Sequence, residues 1–281
     1  MTQSSVQNPD NFYALTRSAQ EEERLQRQAQ SRHVEEPTLA VLQQVDLRPG
    51  MACLDIGCGT GSVMETLGAA VGPTGTVTGL DVDNALGHKV IARLNTTGTS
   101  KFNFIEGDVR TIDQIPSESY DVTFARFLLL HLEDPGIALQ KMWAWTKPGG
   151  YLAVLDLDYQ PHGGSPDCEL RQEFTRVACG VLEQMGRDPQ IGHKLPSWFE
   201  RAGIGSPDGI QVTGTLDRLE NLADLLCATY QSYLPNALKF GITTEERRDR
   251  FFRKLDELLA GDPYYTSGPL VVGLWKQKKA V

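Results

Sequence analysis

Short apolar segments alternate with longer amphipathic segments through the middle of this 281-residue chain. Short apolar runs predict strands, and apolar positions three or four residues apart predict helices. The predicted strands are 51–56, 76–80, 102–105, 121–125 and 151–157, and the predicted helices are 62–71, 84–95 and 135–146. This alternation indicates an α/β fold with a parallel, doubly wound sheet that is covered by helices on both faces.

The pattern becomes looser at both ends of the chain. Residues 12–29 predict a polar helix, and residues 37–45 predict a second helix that begins at a proline. Beyond residue 158, we expect helices at 168–185 and 196–202 and strands at 210–214 and 270–275 that complete the sheet. Helical stripes fill the stretch between those last two strands, and Thr243 with Glu246 matches a capping box.

These end segments predict a cover over the sheet and not a second independent domain. The helix at 12–29 is too polar for a core, yet it carries an apolar edge that must rest on something. Helices inserted at 216–266 would lie over the carboxyl ends of the strands. We therefore expect an N-terminal lid helix (1–35), a cofactor-binding core (36–160), and the rest of the sheet with its inserted lid helices (161–281).

Composition and charge disfavour several classes of protein. The chain has 27 Lys and Arg against 36 Asp and Glu, so its net charge of -9 argues against nucleic acid and membrane partners. No apolar run approaches the roughly 20 residues that span a bilayer, and the first thirty residues carry three consecutive glutamates where a signal peptide is apolar. We expect a cytoplasmic protein. The cysteines and histidines are scattered along the sequence, so no metal site is predicted. The oligomeric state stays open.

A glycine-rich turn is the strongest local signal in the sequence. The segment LDIGCGTG (54–61) ends a strand and opens a helix, and its glycines let the backbone approach a ligand closely. Asp81 ends the next strand, where a carboxylate can accept hydrogen bonds from both ribose hydroxyls. A nicotinamide oxidoreductase shares both features, but its G-x-G-x-x-G fingerprint would need a glycine or alanine at Ser62. The turn and Asp81 therefore predict a nucleotide-containing cofactor.

Five motifs in a fixed order make the prediction more specific. They are LDIGCGTG (54–61), VTGLDVD (77–83), EGDV (106–109), YDVTFARFLLLHLEDP (120–135) and KPGGYL (147–152). The series resembles the class I S-adenosylmethionine-dependent methyltransferases, in the small-molecule branch that is similar to the ubiquinone and menaquinone methyltransferases. The resemblance implies a Rossmann-like, mostly parallel seven-stranded sheet with an added helical lid. It also implies S-adenosyl-L-methionine as the cofactor and a small-molecule acceptor that is methylated on oxygen, nitrogen or carbon.

The resemblance also implies roles for residues around the cofactor. The backbone at Gly57, Gly59 and Gly61 would lie against the methionine and ribose portions of the cofactor. Asp81, followed by Val82, would hold the ribose hydroxyls. These five residues belong to the first two motifs and form the predicted centre of the cofactor site.

Four more residues complete the cofactor site that the resemblance implies. Asp108, with the amide of Val109, would receive the adenine amino group. Arg126 resembles a position close to the methionine end, although it could instead anchor the structure through an ion pair. Tyr13 matches a tyrosine that reaches the cofactor carboxylate in related enzymes, although it could be a helix-packing residue.

The acceptor side is less defined by the sequence, and the catalytic residue is unknown. His131 is a candidate general base, or it caps the helix that follows it. Asp158, Tyr159, His162 and Tyr230 are candidates for contact with the acceptor. The excess of acidic over basic residues favours a neutral or cationic, partly apolar acceptor. A cofactor-binding protein with another reaction or none, and an NAD(P)-dependent oxidoreductase, also stay open.

Overall fold

The fold is built on a seven-stranded sheet in a computed structural model that describes residues 19–159, 164–165 and 169–280. The strands of the described part are β1 (Ala52–Ile56), β2 (Thr76–Asp81), β3 (Lys101–Glu106), β4 (Tyr120–Arg126), β5 (Thr146–Asp158), β6 (Gly164–Ser165), β7 (Gly209–Thr213), β8 (Leu216–Arg218), β9 (Tyr265–Ser267) and β10 (Leu270–Gln277). The large sheet has the order β3-β2-β1-β4-β5-β10-β7. Strands β1 to β5 are parallel, and β10 lies antiparallel between β5 and β7. The predicted mostly parallel, seven-stranded fold is confirmed.

Helices cover both faces of this sheet. They are α1 (Ala19–Gln30), α2 (Arg32–Leu42), α3 (Ser62–Val71), α4 (Asn84–Thr97), α5 (Pro135–Trp145), α6 (Glu169–Gln184), α7 (Ile191–Arg201), α8 (Leu219–Lys239) and α9 (Glu245–Ala260). Apolar residues of β1, β4 and β5 are buried between the two layers. A parallel strand that is buried on both faces has a nearly continuous apolar sequence, which is why these strands could be predicted from short runs.

Two predicted helix starts were wrong for the same reason. The sequence pattern placed prolines at the beginnings of two helices, but α2 and α7 begin earlier and contain Pro37 and Pro196 in their interiors. Proline suits a first helical turn, but tertiary packing overrides this preference. Val34, before Pro37, and Ile191, at the start of α7, are buried and hold the additional turns against the core.

The predicted capping box at the start of α9 was displaced by one residue. Thr244 is the residue that caps this helix, because its Oγ accepts a hydrogen bond from the amide of Arg247 at 3.3 Å. Thr243 instead donates its hydroxyl hydrogen to Oε1 of Glu173 on α6 at 2.8 Å. The sequence analysis also missed a small antiparallel sheet, β6-β9-β8, whose strands are two or three residues long.

The segments predicted as a cover contact neighbouring helices and the sheet. Helix α1 packs on α8, and α2 packs on β10 and β5. At its other side, α1 reaches α4 through an ion pair between Glu22 and Lys89, with Nζ 3.2 Å from Oε2. Within the described residues, no helix is long and apolar enough to cross a membrane.

Candidate functional site

A cavity of about 560 Å³ opens at the carboxyl ends of β1, β2, β4 and β5. Its floor is formed by the loops that follow these strands, and α1, α6 and α8 contribute its other walls. The strand order divides the cavity into two sides. The loops after β2 and β3 lie on one side of β1, and those after β4 and β5 lie on the other.

The glycine turn after β1 forms the middle of the floor. Gly57, Gly59 and Gly61 have φ angles of 71°, 47° and 77°, a region that residues with a Cβ rarely occupy. A Cβ on Gly61 would lie 2.3 Å from Cγ1 of Val90, whereas Gly59 faces open space. Gly61 therefore permits close packing of the turn against α4, and Gly59 leaves backbone accessible in the cavity.

Asp81 holds the glycine turn from the end of β2. Its Oδ2 accepts a hydrogen bond from the Gly59 amide at 2.9 Å, and its Oδ1 accepts one from the Asp83 amide at 3.0 Å. Val82, between the two aspartates, is 41% exposed. All three residues line the cavity, so the carboxylate both orders the loop and faces the ligand space.

Asp108 lines the same side of the cavity, beside the buried Val109. Burial by itself raises the pKa of the Asp108 carboxyl, but hydrogen bonds from the Arg110 side chain and amide outweigh it and lower the pKa. Nε of Arg110 lies 2.9 Å from Oδ1, and its Nη2 lies 2.5 Å from Oδ2. The Arg110 amide also donates to Oδ1, at 2.9 Å, so Arg110 holds both carboxylate oxygens in place.

Arg126 and Asp55 meet at the centre of the floor. Arg126 donates to Oγ of Ser62 at 2.5 Å and to Oγ1 of Thr38 at 3.2 Å, which links β4 to α3 and α2. Asp55 is 2% exposed, and its Oδ2 has no hydrogen-bond partner among the described residues. Burial raises the pKa of Asp55 to about 7, against the opposing effect of the Arg126 charge. The sequence analysis did not select Asp55, although an acid inside an apolar strand was an available signal.

His131 lies on the other side of the cavity, at the end of a 3-10 turn formed by Leu129–His131. Burial, together with the charges of Arg187 and Arg24, lowers the pKa of His131 to about 3. The buried Asp156 carboxylate accepts the amide hydrogen of Leu130 at 3.2 Å and orders this turn. Because the imidazole resists protonation, this environment favours a structural role for His131 over that of a general base.

We expect the pKa of His131 to be visible in the pH dependence of stability. The unfolded chain binds a proton on this imidazole near its ordinary pKa of 6.5, whereas the folded chain stays neutral until about 3. Stability is therefore fully present above 6.5 and is lost as the pH falls, by about 2 kcal/mol at pH 5. Urea unfolding of the wild type and His131→Gln at pH 5 and pH 7.5 measures the difference.

Asp55 and Asp156 make the folded state more stable as the pH falls, because burial raises the pKa of each to about 7. Both are present in the two proteins, so their contributions cancel in the comparison. An identical loss of stability in wild type and His131→Gln would mean that His131 ionises in the folded state, and it would return this residue to the candidate bases.

The remaining predicted acceptor residues do not share one location. Tyr159 lines the cavity, where burial raises the pKa of its hydroxyl and a hydrogen bond with Tyr233 opposes that effect. Asp158 is buried and accepts hydrogen bonds from the amide and Nδ1 of His193 on α7. Tyr230 is buried and stacks on Phe251 at 3.9 Å between ring centroids. Neither Asp158 nor Tyr230 lines the cavity, because the side chain of each contacts a neighbouring helix instead.

Two predicted site residues, Tyr13 and His162, lie outside the described residues. Seven of the other predicted cofactor residues line the cavity: Gly57, Gly59, Asp81, Val82, Asp108, Val109 and Arg126. Gly61 does not line it and packs against α4 instead. The glycine turn, the two carboxylates and the doubly wound sheet define a class of α/β proteins that bind an adenosine-containing cofactor at the carboxyl ends of the strands.

Comparison with known proteins names the family more closely. Residues 54–154 match the family described as Methyltransferase domain. A demethylmenaquinone methyltransferase of Lactococcus lactis is 23% identical over 202 residues, which are 72% of this chain and 76% of that protein. Residues 54–154 thus form a methyltransferase domain that resembles the class I S-adenosylmethionine-dependent methyltransferases, in the branch of the quinone methyltransferases, and S-adenosylmethionine is the cofactor that this resemblance indicates. The resemblance predicted from the five motifs is confirmed.

Another relative is longer than the present chain. An uncharacterised 37.1 kDa protein in transposon TN4556 of Streptomyces fradiae is 30% identical over 241 residues. The match covers 83% of this chain but 64% of that protein, so the chain spans less than two thirds of this relative's length.

Solved structures show the same fold at low sequence identity. A Bacillus halodurans protein assigned as a methyltransferase has a TM-score of 0.59 at 16% identity, covering 87% of this chain and all of its own. Phosphoethanolamine N-methyltransferase 2 of Haemonchus contortus, solved with phosphomonomethylethanolamine and S-adenosylhomocysteine, has a TM-score of 0.52 at 15% identity. That match covers 86% of this chain and 52% of the Haemonchus protein.

Proposed function

We propose that this protein transfers the methyl group of S-adenosylmethionine to a small molecule that binds inside the cavity. The observation that carries the proposal is the continuity of that cavity. It extends from Asp81 and Asp108, past the glycine turn, to an apolar side formed by residues of α6 and α8. A cofactor and an acceptor can thus occupy adjacent parts of one cavity.

The residues of the cofactor side suit S-adenosylmethionine. Gly59 leaves open space where a Cβ would stand, and the Asp81 carboxylate lines the cavity at the end of β2, where it can accept hydrogen bonds from ribose hydroxyls. Asp55 has a buried carboxylate oxygen with no partner among the described residues, close to the methionine end of the proposed site. Asp108 and Val109 would receive the adenine, and Arg126 would lie near the methionine group.

Positioning accounts for most of the proposed mechanism. S-adenosylmethionine supplies a methyl group that is already activated on a sulfonium, so the chain's residues need to align the acceptor and exclude water. Phe174, Leu222 and Leu226 provide apolar walls on the acceptor side. We propose that α1 and α8 form the lid over both ligands, with Tyr159 and His131 as polar groups beside the acceptor and His131 in its neutral form.

The cofactor is tested by calorimetry on the purified protein. S-adenosylmethionine and S-adenosylhomocysteine should give saturable heats, while NAD and NADP should give none, because the turn has the G-x-G-x-G spacing and is followed by Asp108. Saturable binding of NAD or NADP, with none of S-adenosylhomocysteine, would remove the methyltransferase proposal.

A blocked cavity tests whether the acceptor is a small molecule. Thr229 of α8 lines the cavity, so Thr229→Trp should abolish transfer of labelled methyl from S-adenosylmethionine to organic-extractable compounds of a cell extract, while S-adenosylhomocysteine still binds. Asp224→Trp places the same side chain on the exposed face of α8 and should leave transfer intact. The proposal would be contradicted if the labelled methyl group appeared in protein or RNA and the amount transferred were the same in Thr229→Trp.

A further inference from the structure

Strands β7 and β8 form one long edge with no strand beside it in the described part of the chain. Strand β7 pairs with β10, and β8 pairs with β9. Between these pairs, the amide of Gly268 donates a hydrogen bond to the carbonyl of Thr215 at 3.3 Å. Residues 209–218 are therefore one nearly continuous extended segment, and both of its strands stand last in the order of their sheets. This segment is the β7–β8 edge.

The side chains of the β7–β8 edge alternate between a covered face and an exposed face. Odd-numbered residues from 209 to 217 are buried or half-buried, and even-numbered residues from 208 to 218 are exposed. The exposed row includes Ile210, Val212 and Leu216, which are 52%, 59% and 72% exposed. Three large apolar side chains in one row, beside an open strand edge, indicate an interaction surface.

This exposed row continues the apolar face of the large sheet. Ile210 and Val212 lie opposite Leu274 and Val272 of β10, and residues opposite each other in a sheet share a face. Leu274 and Val272 are buried, and α7 covers this face closely, since a Cβ on Gly192 would lie 3.0 Å from Cγ2 of Val272. The covering layer ends before β7, so the outermost strand carries core-like residues without a core around them.

The opposite edge of the same sheet is built differently. Strand β3 exposes Lys101, Asn103 and Glu106. Charged side chains on an edge strand oppose pairing with another chain, and natural proteins use them for that purpose. The exposed row of the β7–β8 edge has no charged residue between Asp208 and Arg218. One edge of the sheet is thus protected against pairing, and the other is suited to it.

The exposed row is complementary to itself in one antiparallel register. With a two-fold axis at Thr213, Ile210 of one copy lies opposite Leu216 of a second copy, and Val212 lies opposite Gly214. Directly opposite side chains on one face have Cβ atoms about 4.5 to 5.5 Å apart, so the two aliphatic pairs would be in contact. The large Val212 meets a residue without a side chain, which avoids a clash near the axis.

The two ends of the row carry opposite charges. The side chain of Asp208 is 46% exposed and pairs with Lys276 of its own chain, and that of Arg218 is 47% exposed and pairs with Glu220. Exposed pairs of this kind contribute little energy, so they can rearrange when another charge approaches. The register centred on Thr213 sets Asp208 of each copy opposite Arg218 of the other. The ends of the row therefore attract each other in the antiparallel arrangement.

We propose that two copies of this chain associate through their β7–β8 edges, by antiparallel pairing about a two-fold axis at Thr213. A two-fold interface uses the same surface on both subunits, so a row that is complementary to itself is sufficient. Displacing the axis by one residue in either direction would set a charged residue, Asp208 or Arg218, against an apolar one. The inference is independent of the proposed function, since no cofactor has to bind for the edges to pair.

Sedimentation velocity of the full chain tests the association. Between roughly 100 nM and 100 μM, a range that includes the affinities of many protein interfaces, we expect a species with twice the mass of the chain. Val212→Lys combined with Leu216→Lys places like charges in the paired edge and should weaken association by roughly 100-fold or more. Ile137→Lys is the matched control, because Ile137 is a 39% exposed apolar residue of α5 and should not affect association. Thermal melts check that both variants are folded.

Cysteine cross-linking tests the register. Ile210→Cys should not cross-link with itself, because residue 210 of the second copy lies six residues, or about 20 Å, along the edge. A disulfide joins Cα atoms only about 4.4 to 6.8 Å apart. Leu216→Cys alone should also stay uncross-linked, whereas a mixture of the two variants should form a disulfide-linked dimer on a non-reducing gel. The wild type, with its native cysteines, gives the background.

Three results would overturn the inference. A monomer at every concentration would mean that the edge is not used by a second copy, and association that begins only after deletion of residues 1–18 would mean that the chain's own terminus covers it. A dimer that survives the two lysine substitutions in a folded variant would lie on another surface. Self-linking of Ile210→Cys, with no additional product in the mixture, would exclude the axis at Thr213.

Discussion

Asp81→Ala should weaken the binding of S-adenosylhomocysteine by about 2 to 4 kcal/mol, or roughly 30- to 1000-fold. The carboxylate is proposed to accept two ribose hydroxyl hydrogens, and hydrogen bonds to a charged group contribute about 1.5 to 3 kcal/mol each. The same carboxylate accepts the amides of Gly59 and Asp83, so the variant also loosens the turn that carries the ligand. Calorimetric titration of the folded variant measures the loss.

Asp113 provides a matched control for this experiment. Its carboxylate is 91% exposed, pairs with Lys141 and lies outside the cavity, so Asp113→Ala should leave the dissociation constant unchanged. Asp81→Asn keeps one oxygen acceptor without the charge and should fall between the wild type and Asp81→Ala. A wild-type dissociation constant for Asp81→Ala would place the ribose elsewhere.

Deletion of residues 1–30 should reduce methyl transfer by about 100-fold or more, because loss of a cover admits water and releases the acceptor from its alignment. The deletion removes α1, which contributes Glu21, Arg24 and Leu25 to the cavity wall. The sheet and its flanking helices lie downstream, so the thermal midpoint should fall by only a few degrees, roughly 2 to 4 °C per kcal/mol lost. Label transfer from S-adenosylmethionine and a thermal melt compare the two losses.

Hydrogen exchange gives an independent test of the same lid. Amides of residues 19–30 should exchange more slowly when S-adenosylhomocysteine is added to the full chain, because a held ligand suppresses opening of the helix. The exposed helix α9 is the internal reference, since it does not line the cavity and its exchange should not respond. Full activity after the deletion, together with exchange that ignores the ligand, would show that α8 and α6 close the pocket without α1.

Much of the cofactor side was predictable because its signals are local. A tight strand-to-helix turn requires glycines at fixed positions, and an acid that follows a strand must lie at the carboxyl edge of a parallel sheet. For this reason the sequence alone places Gly57, Gly61, Asp81 and Asp108 close together. Their proposed contacts with the cofactor remain predictions that the Asp81 experiment begins to test.

The acceptor side depended on contacts between distant segments. Tyr230 and Tyr159 were both predicted to contact the acceptor, yet Tyr230 stacks inside a helix cluster and Tyr159 lines the cavity. Arg24 looked like one charge on a polar helix, and only the packing of α1 against α8 buries it with Glu21 and Ser232. Asp55 similarly gained significance once its carboxylate oxygen was seen to be buried.

The sequence by itself determined the order of strands and helices, the glycine turn and the family of the core, because periodicity and turn chemistry act over a few residues. The tertiary structure decided where α2 and α7 begin, which residue caps α9, and which side chains reach the cavity. Burial, electrostatic environment and the meeting of α1 with α8 arise from pairs of residues as far apart as 21 and 232. Such pairs have no signature in a local pattern, so they became visible only in the folded chain.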